Sequence, residues 1–478
     1  MVVSGQGVQP ASAAASETLG PRDLVECAGA LLNIGAVKEA RDILRYLIAS
    51  QQADGHWYQN QWLGGNSFWN GIQLDETAFP VLLAAYLAER EMLGDINVSD
   101  MVRKALGYLI QHGPSSEQDR WEEQAGFNTF TLAACIAALV AGSRFLDSDM
   151  ADYTLAIADY WNSRLEDWTL LRNTRLSKKY EVGAYYTRVA PASKITDADA
   201  ISPVFPVCNS ADSAGILMEE HIGTDFLQLV RFGLRSADDE SITDSLRIID
   251  RLLKVDTPYG PVWKRYNGDG YGEKEDGSAY DGSGRGRAWP LLTGERGHYE
   301  LAAGRDALLY LRTMCESATG IGMLPEQVWD EQDMPEHNLF FGQPTGSAMP
   351  LAWTNAEFIK LVLSVQEKRI VDRPESVWNR YHGKRPETNL AHWTPAATVT
   401  QIKPGQDLMI WLPQSANIQF TFDDWVNIKN KVTVDTGLGM HAATLVTQAL
   451  CAGTQICFTW KNILTNDWTG INYSIKIT

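Results

Sequence analysis

Asn128-Thr129-Phe130-Thr131-Leu132-Ala133-Ala134-Cys135-Ile136-Ala137-Ala138-Leu139-Val140 is apolar almost all round. A surface helix shows one apolar stripe. A helix apolar on every side has to be enclosed by other elements. The spacing therefore predicts a helix buried inside a ring or bundle of others. Outward from it, Phe79, Leu82, Leu83, Tyr86 and Leu87 fall at i, i+3, i+4, i+7 and i+8, which predicts a helix with one apolar face. The same period runs through Leu24–Ile34, Ala40–Ser50, Met101–Gln111, Met150–Trp161, Asp239–Leu253, Tyr299–Met314 and Asn355–Gln366.

Between these helices lie long stretches rich in Gly, Trp and Tyr, at 54–75, 168–210 and 257–290. Helical bundles have shorter connections, and long loops are commonly functional. The pattern predicts a mainly α toroid of paired inner and outer helices with a site at one end. Near Arg385 the period changes to two. Leu408/Ile410/Leu412, Ile418/Phe420/Phe422, Ile456/Phe458/Trp460 and Tyr473/Ile475/Ile477 alternate, and Gly, Pro, Asn and Asp bound the runs. That predicts antiparallel strands in a small β-sandwich-like domain. The expected organisation is a disordered or truncated segment over 1–20, a helical domain over 21–385 and a β-rich domain over 386–478.

The 478 residues carry a formal charge of −18 and no run of Lys and Arg, which argues against nucleic acid and anionic membranes as partners. No apolar stretch is long enough to span a membrane. The first 20 residues lack the charged and apolar regions of a signal peptide. As it stands the chain reads as cytoplasmic; with a further N-terminal segment it would read as secreted. A monomer is expected. Cys27, Cys135, Cys208, Cys315, Cys451 and Cys457 show no metal-ligand spacing. Cys27 and Cys135 read as buried thiols, and Cys451 and Cys457 could pair across a turn. The sixteen Trp are an excess. Sugar rings present flat C–H faces that pack on aromatic rings, and Trp57, Trp62 and Trp69 beside Gly, Asn and Gln read as loop aromatics.

Glycoside hydrolysis needs two carboxyl groups, one to protonate the leaving oxygen and one to activate water or attack directly. Arg120-Trp121-Glu122-Glu123-Gln124-Ala125-Gly126 offers adjacent carboxylates beside Trp, where mutual repulsion would raise one pKa. The alternative is an acidic first turn favoured by the helix dipole. Leu324-Pro325-Glu326-Gln327-Val328-Trp329-Asp330 offers a second carboxylate in an apparent loop, with an ordinary solvated acid as its alternative.

With four further segments these resemble the glucoamylase and glucodextranase family, glycoside hydrolase family 15, in its bacterial branch. Trp121-Glu122-Glu123 resembles the general-acid segment and Pro325-Glu326-Gln327 the general-base segment. Pro21-Arg22-Asp23 resembles the Arg-Asp pair that holds the terminal glucose. Trp69 to Glu76 resembles a subsite segment, Lys264 to Tyr271 the Arg-bearing loop, and Arg287 to Gly297 a Trp-bearing segment. The segments run in the family's order. The resemblance implies an (α/α)6 barrel and inversion, with Glu122 as acid and Glu326 as base. It implies substrate contacts from Arg22, Asp23, Trp69, Gln73, Asp75, Trp121, Glu123, Arg265, Asp269 and Trp289. The two catalytic carboxyls are then expected roughly 6.5–9.5 Å apart.

The implied activity is release of β-D-glucose from non-reducing ends of α-1,4-glucans. Alternatives are a glucodextranase acting on α-1,6-glucans and an inactive binding remnant. The remnant is motivated by a departure from the family. Its Tyr and Trp before the Arg-Asp pair are absent from Ala14-Ala15-Ser16-Glu17-Thr18-Leu19-Gly20-Pro21, as is its N-terminal β-domain. Part of the first barrel helix is expected to be missing with them. No cofactor or metal is expected. The acid-rich stretch Asn267 to Gly282 fits a solvated substrate loop, with calcium as the alternative, although EF-hand spacing is absent.

Overall fold

A computed structural model describes residues 18–195, 204–207, 209 and 215–478. Most of the expected N-terminal segment, together with Cys208, lies outside the described residues. The helices come in pairs along the chain. They are α1 (Pro21–Asn33) with α2 (Val37–Ser50), α3 (Leu74–Glu89) with α4 (Ser99–His112), and α5 (Thr129–Gly142) with α6 (Ser148–Thr169). After the short α7 (Arg175–Tyr180) come α8 (Leu227–Arg231) with α9 (Glu240–Leu252), α10 (Pro290–Ala302) with α11 (Leu308–Glu316), and α12 (Ala352–Glu367) with α13 (Glu375–Tyr381).

The first helix of each pair packs on the first helix of the next. α1 meets α3, α3 meets α5, α5 meets α8, α8 meets α10, α10 meets α12, and α12 returns to α1. These six form a closed inner ring, with α2, α4, α6 and α11 laid outside their partners. The composition explains which helix goes where. Every residue of α5 is buried. α2 buries only Ala40, Leu44, Leu47 and Ser50, a single stripe. The architecture is an (α/α)6 barrel.

Four expectations need correction. The first barrel helix is present: α1 begins at Pro21, suited to a first helical turn because it has no N–H to leave unpaired. α3 is buried from Leu74 through Leu87, not on one face. The predicted helix Tyr299–Met314 is two helices, because Gly304 adopts φ +71° after α10 and turns the chain into α11. The long connections are not bare loops. They carry short antiparallel pairs, among them Asn60–Trp62 with Ser67–Trp69, and Leu170–Arg172 with Ala184–Tyr186.

The C-terminal region forms two sheets. One orders Leu390–Trp393, Asp407–Leu412, His441–Leu445 and Val434–Asp435; the other orders Gln401–Ile402, Tyr473–Ile477, Gln455–Asn462, Ala416–Thr421 and Lys429–Val432. Two pairings are parallel, not antiparallel as the alternation implied: Leu390–Trp393 with Asp407–Ile410, and Gln401–Ile402 with Lys476–Ile477. The region seats on α6, where Tyr153 meets Trp411 at 5.6 Å and Tyr160 meets His392 at 5.1 Å between ring centroids. Cys451 and Cys457 are free thiols, as are Cys27, Cys135 and Cys315. Among the described residues no helix is long and apolar enough to cross a membrane.

Candidate active site

An inner helix of a toroid starts and ends at the two rims. Arg22 and Asp23 open α1, Gln73 precedes α3, and Asp75 and Glu76 lie in its first turn. The Trp121–Glu123 turn leads to Asn128, the residue before α5, and Trp289 precedes α10. The predicted site residues of four inner helices thus cluster at helix N-termini, whose unpaired N–H groups favour carboxylates and sugar oxygens.

Arg22 ties two of these termini together. Its Nη1 donates to Gln73 Oε1 at 2.9 Å and to Asp75 Oδ2 at 2.8 Å, and its Nε to Asp23 Oδ1 at 3.3 Å. Its backbone N–H donates to Glu76. Asp75 also accepts from Thr131 Oγ1 of α5 at 3.0 Å. Trp353, from the start of α12, lies under the Arg22 guanidinium at 5.1 Å. Burial raises the Asp23 carboxyl above its ordinary pKa, against the pull of Arg22.

Glu122 stands in a turn before α5, not in the helix, so the acidic-first-turn alternative does not describe it. Its φ is +67°, a left-handed conformation that costs a non-glycine residue on the order of 1 kcal/mol or more. Asp119 holds the turn. Its carbonyl accepts from Glu122 N at 2.9 Å, and its Oδ1 from Glu123 N and Gln124 N, each at 3.1 Å. Arg188 fixes Asp119 in turn, at 2.5 Å. Burial pushes the Glu122 carboxyl up to about 8; Arg22 opposes the shift and Asp23 adds to it. Burial, not repulsion from Glu123, is therefore the main cause.

Glu123 is held by the protein on both oxygens. Oε1 accepts from Asn209 at 2.8 Å and from Arg265 at 3.4 Å; Oε2 accepts from Arg188 at 3.1 Å and from the Tyr266 hydroxyl. Arg265 spreads its fork over Asp269, with Nε at 2.7 Å and Nη2 at 2.6 Å. The resemblance implies a substrate contact from Arg265, and two of its nitrogens are engaged with Asp269. The guanidinium lies among Trp121, Tyr271, Tyr266 and Trp289, at 5.1, 5.0, 5.3 and 5.6 Å from their rings. Trp121 meets Trp289 edge to face at 5.3 Å. Trp69 is half-buried on the hairpin, 4.6 Å from Phe68. Trp57 is corrected from loop aromatic to core: it is fully buried and its indole donates to Leu47 O at 2.9 Å.

Glu326 is 1% exposed. Its Oε2 accepts from Ala348 N at 3.3 Å, and the Tyr271 hydroxyl lies 3.4 and 3.3 Å from its two oxygens. Burial pushes its pKa up to about 7. The Ala348 N–H, Arg265 and Tyr271 oppose that shift, and Glu273 adds to it. The charge of Arg265 therefore acts on both Glu122 and Glu326.

Several buried polar atoms here have no partner: Glu122 Oε2, Trp121 Nε1, Trp289 Nε1, Gln73 Nε2 and Gln327 Oε1. Native interiors seldom leave such atoms unmet, and ordered water or the hydroxyls of a sugar would each satisfy them. Sequence reasoning missed Tyr271, Tyr266, Arg188, Asp119 and Trp353 as parts of this site. Tyr266 and Tyr271 carried a local signal, one directly after Arg265 and the other two residues after Asp269, both in the Arg-bearing loop.

The acid-rich loop disperses its carboxylates. Asp269 pairs with Arg265, Asp281 with Lys274 and Glu275 with Arg285, while Glu273 accepts from Gly346 N. Among the described residues no group of three or more His, Cys, Asp or Glu is placed to hold a metal ion.

The family model for glycosyl hydrolases family 15 matches residues 48–363. The match includes both carboxylates and leaves Arg22 outside it. A glucoamylase of Clostridium sp. (strain G0005) is 38% identical over 369 residues, which are 76% of this chain and 49% of that one. A bacterial glucoamylase crystallised with acarbose is similar at 38% identity, with TM-score 0.68, over 76% of this chain and 51% of the other. The Hormoconis resinae glucoamylase shares the fold, at 13% identity and TM-score 0.51, over 98% of this chain and 89% of that one. The chain thus spans about half the length of the bacterial relatives it matches. By the family match and the 38% identity over three quarters of its length, the chain belongs to glycosyl hydrolases family 15.

Proposed function

We propose that this chain is an exo-acting, inverting α-glucosidase that releases β-D-glucose from the non-reducing ends of α-1,4-glucans. One observation carries the reading. Two buried carboxyls, both raised in pKa and both felt by Arg265, stand among indole and amide groups with unmet hydrogen bonds. Raised carboxyls are what a proton donor and a proton acceptor near neutrality require. The similarity to glucoamylases supplies the substrate class.

In this reading Glu122, protonated, donates to the glycosidic oxygen as the C1–O bond breaks and its electron pair stays with that oxygen. Water attacks C1 from the opposite face and loses its proton to Glu326. Glucose leaves with inverted configuration, Glu122 ends as the carboxylate and Glu326 as the acid, and one proton returns through solvent. Arg22, Asp23 and Asp75 form the polar floor beside the sugar, and Trp121, Trp289 and Trp69 its walls. The chemistry calls for no cofactor, and we take the working unit to be a monomer.

Proton NMR of maltooligosaccharide hydrolysis tests this. β-Glucose is expected to appear first, with mutarotation to α following. Glu122→Gln and Glu326→Gln are each expected to slow turnover at least a hundredfold, on the order of what a general acid or base supplies. A clear preference for isomaltooligosaccharides would instead assign the α-1,6 alternative. Tight oligosaccharide binding without turnover would assign the binding remnant.

A further inference from the structure

The base is only as useful as its aim. Glu326 has to present one oxygen to a water poised over C1, and a glutamate has three side-chain torsions through which to miss. The Ala348 N–H reaches Oε2. Toward Oε1, the protein offers the Tyr271 hydroxyl, which lies nearly equidistant from both oxygens at 3.4 and 3.3 Å. These distances are long for O–H···O bonds, as catalytic contacts commonly are before substrate binds.

Tyr271 is itself held from two sides. Its N–H donates to Asp269 Oδ1 at 2.9 Å, the carboxylate that Arg265 grips. Its carbonyl accepts from Gln327 Nε2 at 3.1 Å, the residue after the base. Its ring packs against Tyr280 at 5.1 Å and Trp289 at 6.3 Å. The phenol is thus fixed between the Arg265–Asp269 pair and the Glu326–Gln327 segment, and only its O–H has rotational freedom. A hydroxyl both donates and accepts. It can give its proton to Glu326 while accepting one from the attacking water.

We propose that Tyr271 is the positioning residue of the base, its hydroxyl fixing the Glu326 carboxylate and sharing the water that Glu326 deprotonates. This rests on the reading of Glu326 given above. Tyr271→Phe keeps the ring and its packing and removes only the oxygen. The charged groups acting on Glu326 are Arg265 and Glu273, and the substitution leaves both in place.

The experiment measures kcat, KM and the pH profile of kcat/KM for the parent, Tyr271→Phe, Glu326→Gln and the double variant on maltotriose. Circular dichroism confirms that all four are folded. Tyr271→Phe is expected to lower kcat about tenfold to a hundredfold with KM changed less than about twofold, the size expected when a hydrogen bond to a charged group is lost in the transition state. The acid limb moves to higher pH, because a donor that favoured the carboxylate is gone. The double variant is no slower than Glu326→Gln, because Tyr271 acts through the base. A Tyr271→Phe enzyme with parental kcat and an unmoved acid limb, beside an inactive Glu326→Gln, overturns the proposal and leaves the base assignment standing. A fully active Glu326→Gln overturns both.

Discussion

Arg22 Nη1 and Asp75 Oδ2 meet at 2.8 Å with side chains 3% and 0% exposed, joining the first turn of α1 to the first turn of α3. The contact does two things at once. It ties α1 to α3 at the rim and, in the proposed mechanism, fixes the polar floor on which a terminal sugar would rest. Buried pairs of this kind are costly to break from one side, because the abandoned charge stays desolvated. Arg22 keeps Asp23 and Glu76, so Asp75→Asn is expected to cost about 1.5–3 kcal/mol of stability and to raise KM on maltotriose. Urea denaturation and steady-state kinetics check the two effects. Loss of activity at unchanged stability would detach the floor from the ring.

The pH behaviour follows from two burial effects. In the proposed mechanism turnover needs Glu326 ionised and Glu122 protonated, and burial raises the first to about 7 and the second to about 8. The profile of kcat/KM is expected to rise as Glu326 loses its proton and to fall as Glu122 loses its own, giving a narrow bell. Stability carries the opposite sign for the base. Folding raises the Glu326 pKa, so the folded state binds the extra proton. Its contribution is full below about 4.5, the ordinary value, and is lost as pH rises through about 7. Glu326→Gln removes that loss. Its melting temperature relative to the parent is expected to climb between pH 4.5 and pH 8, by the equivalent of about 3 kcal/mol. A flat difference across that range would mean that Glu326 is not perturbed by folding.

The elements that could be read directly are those whose burial is apolar. α5 was legible because Leu132, Ile136 and Leu139 sit among alanines with no polar side, and the last strands because Ile456, Phe458, Ile475 and Ile477 alternate. The start of α10 was not, because it buries Thr293, Glu295, Arg296 and His298, each paired inside the fold or packed against a neighbouring helix. Hydrophobic periodicity cannot see a polar residue that is buried because it has a partner. The site divides the same way. Glu122 and Glu326 lie in short segments that resemble a family. Asp119 and Arg188 matter through contacts spanning 69 and 65 positions in sequence, which no local spacing reveals; Tyr271 lies in a legible loop, but its contact with Glu326, 55 positions away, does not show there.

Away from the site, Lys360 sits at the seam where α12 meets α1. Its ammonium contacts Glu26 of α1, Asp372 at 3.0 Å and Glu357 at 3.5 Å. Arg231 of α8 grips Glu357 and Asp372, and His298 of α10 reaches Glu357 at 2.8 Å. Four inner helices thus share one buried ionic cluster, and removing Lys360 leaves Glu26 without its cation while Glu357 and Asp372 keep Arg231. Lys360→Met is expected to destabilise by about 3–5 kcal/mol. Adding Glu26→Gln should recover part of that loss, since one stranded charge goes with it. Chemical denaturation of the single and double variants measures the coupling. Strict additivity would mean that Lys360 and Glu26 do not share the cluster.

The β-rich region depends on one missing side chain. Gly107 lies in α4, and a Cβ built there would come within 2.4 Å of the Leu438 carbonyl oxygen, in the turn before His441–Leu445. Arg103 of the same helix donates to the neighbouring Gly437 carbonyl at 3.4 Å. In an isolated helix Gly→Ala would be favourable by about 1 kcal/mol. Here the clash is with backbone, which cannot rotate away, and overpacking costs about 1–3 kcal/mol. The steric term wins, so Gly107→Ala is expected to lower stability despite improving helix propensity. The loss should be local. Trypsin is expected to cleave sooner after exposed lysines of 386–478 such as Lys429 and Lys431, while the parental rate on maltotriose is retained, because Gly107 touches neither carboxylate nor the residues that hold them. A variant as resistant to trypsin as the parent would show that the turn at Leu438 can retreat without unseating the sheets.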